Sequence, residues 1–151
     1  MRYIIGIGNY RMADDSIGLR IVEHIVQNGM GKGFEAVGIA DEGMRLLSYL
    51  ENETERIVLI DAVDLGLAAG EYRLFAPGDV QTTRVAQGLT THEGDALKVL
   101  ELARNLGYPI PPLTILGIQP GDLGPGMELS PALEERFHTY LEIALEEVER
   151  D

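Results

Sequence analysis

The chain has 151 residues, no cysteine, 12 Lys and Arg against 25 Asp and Glu, and a formal charge of −13. This length fits one domain with a substantial core, and a hydrophobic content of 45% excludes a disordered chain. The acidic balance disfavours nucleic acid and anionic membrane as partners. The lack of cysteine excludes disulfides, thiolate metal sites and cysteine nucleophiles.

The first apolar run, about Arg2 to Ile7, is Ile-rich and suits a strand buried on both faces. A helix is predicted over about Asp15 to Asn28. Ile17, Ile21 and Ile25 fall on one side with Val22 and Val26 beside them, and Gly29, Gly31 and Gly33 stop it. Further strands are predicted at about Phe34 to Ala40 and Arg56 to Ile60, with a short helix near Met44 to Leu50 between them. A fourth strand, about Glu71 to Phe75, follows the turn region Gly66 to Gly70. That turn is short, so the fourth strand is expected to pair antiparallel with the third.

Ala76 to Leu89 has no period and reads as loop. A helix is predicted from about Thr91 to Leu106, with Thr90 and Glu93 as a capping box. Pro109, Pro111 and Pro112 lead into a fifth strand, Leu113 to Ile118, and Gln119 to Gly126 is a Gly/Pro loop. The last helix is predicted over Pro131 to Glu149, with Ser130 as N-cap and Pro131 in the first helical position. The alternation of strands and helices predicts an α/β sandwich, mostly parallel with one antiparallel strand, and 1–151 as a single domain. No apolar run approaches the roughly 18 residues of a spanning helix. The N-terminus passes straight into a strand-like run without a signal-peptide pattern, so a cytoplasmic protein is expected.

The chemistry-bearing residues follow apolar runs. Gly6-x-Gly8 ends the first strand, but a dinucleotide fingerprint would want a third glycine where Arg11 stands. Asp14 and Asp15 then open the first helix. Such a pair would repel a pyrophosphate, and one of the two is expected to serve as N-cap. Asp61 follows Ile57-Val58-Leu59-Ile60 directly, at the strand end where α/β sheets carry their ligand crevice. Asp64, before Leu65-Gly66, reads as a turn aspartate. Of three histidines, His24 and His138 lie among ordinary amphipathic neighbours and are expected at the surface or its boundary. His92 stands at a predicted helix start after a polar loop. If the first and third strands are parallel neighbours, Asp15 and Asp61 share one sheet edge. His92 would then complete a two-carboxylate, one-imidazole set with open positions, suited to Ni, Fe, Zn or Mn. There is no G-x-S-x-G elbow, H-E-x-x-H or P-loop.

These segments together resemble the hydrogenase maturation endopeptidases over nearly the whole chain. The resemblance rests on GIGN at Gly6–Asn9, DDSIG at Asp14–Gly18, VLIDAVDLGLAAGE at Val58–Glu71, TTH at Thr90–His92 and LGIQPGD at Leu116–Asp122. It implies a three-layer α/β/α sandwich around a twisted five-stranded sheet. It also implies an enzyme that removes a C-terminal peptide from the precursor of a nickel–iron hydrogenase large subunit after nickel insertion. Asp15, Asp61 and His92 match the family's metal-contacting positions, so they are the expected catalytic and metal residues. The nickel would be supplied by the precursor. Asp14, Asn9 and Asp64 would orient ligands or substrate. After the second strand, where the family often has a Gly-Gly-Thr turn, this chain reads Asp41-Glu42-Gly43-Met44. The alternative reading is a non-catalytic protein that checks nickel loading of the same precursor.

Overall fold

The structure is a computed structural model and describes residues 1–40, 42–80 and 96–150. Five strands form one sheet: β1 (Arg2–Gly8), β2 (Glu35–Ala40), β3 (Arg56–Ala62), β4 (Tyr72–Phe75) and β5 (Leu113–Ile118). Their spatial order is β2-β1-β3-β5-β4. The β1–β2, β1–β3 and β3–β5 pairs are parallel, and β4 runs antiparallel to β5.

The sheet is the middle of three layers, because its strands alternate between two apolar cores. Ile4, Val58, Ile60, Leu116 and Ile118 pack with Ile17, Ile21 and Ile25 of helix α1 (Ile17–Gln27). The same core takes Leu133 from α4 (Pro131–Glu135) and Tyr140, Leu141, Ala144 and Val148 from α5 (Phe137–Glu149). Ile5, Ile7, Ile57, Leu59 and Ile115 face the other way. They pack on Leu46 of a 3₁₀ helix (Gly43–Tyr49) and on Ala96, Val99, Leu100 and Ala103 of α3 (Ala96–Asn105). Arg2 ties the N-terminus of the sheet to the end of α5 by donating to the carbonyls of Val148 and Arg150, both at 2.9 Å.

The expected pairing of the fourth strand with the third does not occur. The chain leaves β3 with Val63 N–H bonded to the Ile118 carbonyl, then crosses to the far side of β5, where Gly70 N–H reaches the Gln119 carbonyl. The crossover through α3 then places β5 between β3 and β4. Within the expected loop Ala76–Leu89, Pro77–Val80 forms a helical turn, α2, and the remainder lies outside the described residues. The Thr90–Glu93 capping box also lies outside them. The last helix is broken at Arg136, whose N–H reaches the Leu133 carbonyl in a tightened turn before α5 begins. Among the described residues no helix is long and apolar enough to cross a membrane.

Candidate active site

The site is built on glycines that let a helix touch a sheet. A Cβ built on Gly8 would lie 1.9 Å from the Asp15 carbonyl oxygen, and one on Gly6 would lie 2.1 Å from that of Gly18. A Cβ on Gly18 would in turn lie 2.3 Å from the carbonyl oxygen of Ile60. Only glycine permits this approach, so the 3₁₀ turn Ala13–Ser16 and the start of α1 press directly on the C-terminal ends of β1 and β3. Asp15 is on that turn, and Asp61 is one residue beyond Ile60. Asp61 continues the alternation of Ile57 and Leu59, which turns its side chain toward the α3 side of the sheet.

Both carboxylates are deep, Asp15 at 4% and Asp61 at 2% exposure. Carboxylates at such depth favour a nearby cation or donor strongly over solvent. The structure therefore brings Asp15 and Asp61 to one edge, at the ends of adjacent parallel strands. His92 lies outside the described residues. In sequence it stands four positions before Ala96, where α3 begins. α3 leads into parallel β5, so it runs back against the strands and starts at the same edge of the sheet as Asp61. Among the described residues no three His, Cys, Asp or Glu side chains form a metal-holding group.

Asp14 does something the sequence did not disclose. It is fully buried and accepts four hydrogen bonds from the loop after β5. Its Oδ2 receives Gly121 N–H at 2.7 Å, Asp122 N–H at 2.8 Å and the Ser130 hydroxyl at 2.7 Å. Its Oδ1 receives Ser130 N–H at 2.7 Å. The backbone reinforces this clamp, with Ala13 N–H on the Gly126 carbonyl and Asp14 N–H on that of Asp122. Ala13 itself takes a left-handed φ of 44°, uncommon for a residue with a side chain. Arg20 adds a bond to the Met127 carbonyl and another to the Ser16 hydroxyl.

One expectation is corrected here. Neither Asp14 nor Asp15 is an N-cap: the cap positions are Met12 and Ser16, and neither makes a side-chain cap bond. Ser130 is the N-cap of α4 with Pro131 in its first turn, as expected, and it donates its hydroxyl to Asp14. The turn reading of Asp64 holds, since its Oδ1 accepts Gly66 N–H at 3.1 Å and the Gln119 amide at 3.3 Å. Asn9 likewise accepts Arg11 N–H at 2.8 Å. His24 is half-buried and His138 exposed, their rings edge to face at 5.9 Å.

A family model described as hydrogenase maturation protease matches residues 19–147. The chain belongs to the hydrogenase maturation protease family. The hydrogenase expression/formation protein HupD of Bradyrhizobium diazoefficiens is 29% identical over 143 residues, covering 93% of this chain and 74% of that protein. The hydrogenase maturating endopeptidase HybD of Escherichia coli has a solved structure with a TM-score of 0.68 at 27% identity. The match covers 98% of this chain and 90% of that one. The [NiFe] hydrogenase maturation protease HybD from Thermococcus kodakarensis gives a TM-score of 0.72 at 25% identity, covering 99% and 100% of the two chains.

This maturation protease also carries an open cleft of about 800 Å³. Its walls include Ala13, Ala69, Asp122, Glu128, Ser130 and Ala132, on the side of the sheet opposite the α3 face that Asp61 continues. The Asp14 clamp shapes this cleft, whereas Asp15 and Asp61 are not among its walls.

Proposed function

We propose that this protease removes a C-terminal peptide from the nickel-loaded precursor of a nickel–iron hydrogenase large subunit. In this reading Asp15, Asp61 and His92 complete the coordination of the precursor's own nickel, so the metal is part of the substrate and marks it as ready. The observation that carries the reading is the pair of nearly buried carboxylates at the ends of neighbouring parallel strands. Oxygen donors at that depth, with an imidazole, suit a divalent transition metal that keeps positions open for other ligands. Holding the nickel there fixes the precursor's tail beside the site and makes hydrolysis of its peptide bond a reaction between positioned groups.

Asp14 is not the base in this scheme, because both its oxygens are occupied by protein donors. Its part is to hold the loop after β5. The reading places the reaction in the cytoplasm, where a cysteine-free chain meets newly made precursor. Asp61→Asn keeps the side chain's size and removes its charge, and His92→Ala removes the imidazole. Each is expected to lower precursor processing at least about a hundredfold while leaving thermal unfolding close to that of the parent. Gel electrophoresis of nickel-loaded precursor measures this, and normal cleavage by both variants would refute the assignment.

A further inference from the structure

Arg20 spends its charge on neutral acceptors in a chain rich in acids. It is half-buried on α1 and, among the described residues, forms no ion pair, although the chain has 25 Asp and Glu. Its Nε donates to the Ser16 hydroxyl at 2.8 Å, and its Nη2 donates to the Met127 carbonyl. Its guanidinium carbon lies over the Tyr10 ring, 6.0 Å from the ring centre, and Tyr10 in turn donates its hydroxyl to Glu23 at 3.0 Å. A planar guanidinium with two N–H groups committed and an aromatic face beside it is held in one orientation. Such a group serves by the geometry of its fork, since no carboxylate is there to be neutralised.

The two acceptors belong to the two segments that meet beside the site. Ser16 closes the 3₁₀ turn Ala13–Ser16 that carries Asp15, and Met127 is in the loop between β5 and α4. The Ser16 hydroxyl is buried and passes the tie on, donating to the Ala13 carbonyl at 2.7 Å. Ala13 is the residue with the left-handed φ of 44°, a conformation that persists only where its surroundings over-determine it. Asp14 fastens the turn to the loop from within, and Arg20 fastens the same two segments from α1. Asp15 stands between Ala13 and Ser16, the two residues that this chain of bonds joins.

We propose that Arg20 is a positioning residue for precursor cleavage. Acting through the Ser16 hydroxyl, it fixes the turn that presents Asp15. The inference rests on the proposed function, which gives Asp15 its part, and adds the residue that sets where that carboxylate stands. A misplacement of about 1 Å at a reacting centre costs on the order of a hundredfold in rate, so a tie of this kind is read in turnover before it is read in substrate binding.

The test measures kcat and KM of the intact enzyme on nickel-loaded large-subunit precursor. Arg20→Met keeps the packing of the stem and removes the fork. It should lower kcat at least about tenfold and leave KM within about threefold of the parent. Ser16→Ala should lower kcat by a similar factor. The double variant should be no slower than the slower single one, because both changes break one tie. A normal kcat in Arg20→Met would overturn the inference, as would a loss confined to KM or losses that multiply in the double variant. If the parent enzyme cuts no precursor, the proposed function fails, and amide hydrogen exchange then decides the tie separately. The Ala13 and Asp14 amides, bonded to the Gly126 and Asp122 carbonyls, should exchange at least about tenfold faster in Arg20→Met, with β1 and β3 unchanged. Unaltered exchange at those two amides, or faster exchange throughout the sheet, would overturn it.

Discussion

Adjacent aspartates in this chain have opposite duties because one faces a loop and the other a sheet edge. Asp14 is enclosed by three backbone N–H groups and a hydroxyl, all from residues 121 to 130. Removing the carboxylate leaves those donors buried without an acceptor. Asp14→Ala is therefore expected to cost about 3–5 kcal/mol in urea unfolding. Asp14→Asn, which still offers one oxygen, should lose less. A loss below about 1 kcal/mol in Asp14→Ala would show that the loop is held by other contacts. This role was not legible in the sequence, because its partners are 107 to 116 positions away and carry no pattern of their own. The placement of Asp61 was legible, since an aspartate directly after four aliphatic residues has to emerge where the strand ends.

At the scale of elements, the helix-on-sheet approach depends on glycines whose use depends on their partners. Gly18→Ala would drive a Cβ to 2.3 Å from the Ile60 carbonyl oxygen, and backbone cannot yield as a side chain can. A destabilisation of about 3 kcal/mol or more is expected, with loss of processing because Asp15 moves with the turn. Gly38→Ala meets only side-chain tips, Leu19 at 3.4 Å and Val22 at 4.0 Å, and should stay within about 1 kcal/mol of the parent. Similar losses at both positions would contradict the close-approach argument. In the sequence, Gly6-x-Gly8 read only as an incomplete dinucleotide fingerprint, and the structure gives these glycines another use, contact with a helix. Strands β1, β3 and β5 were legible because runs buried on both faces leave uninterrupted apolar stretches. The partner of β4 was not, because its connection to β3 is short while β5 begins 38 positions after β4 ends. Local turn length favoured the wrong neighbour.

At the scale of the molecule, the helices on the α5 side of the sheet are joined to the neighbouring loops by buried polar contacts. Tyr140 is fully buried and donates its hydroxyl to the Gly70 carbonyl, tying α5 to the turn before β4. Burial pushes its phenol up to about 12; the Arg136 charge opposes that rise, and Asp14 and Tyr72 add to it. The folded protein thus keeps a proton that the unfolded chain releases near pH 10. The contribution of Tyr140 to stability is expected to be fully present below about pH 10 and to fall as pH rises toward about 12. Tyr140→Phe should be less stable at neutral pH and lose much of that alkaline decline in denaturant titrations. An unchanged decline would mean that other groups set it. The central claim remains that Asp15, Asp61 and His92 meet at one metal. A crystal structure of this protein soaked with nickel tests it most directly. The account predicts one ion with oxygens of Asp15 and Asp61 and a nitrogen of His92 within about 2.5 Å. An ion held without one of the two aspartates, or a His92 ring facing away from them, would contradict it.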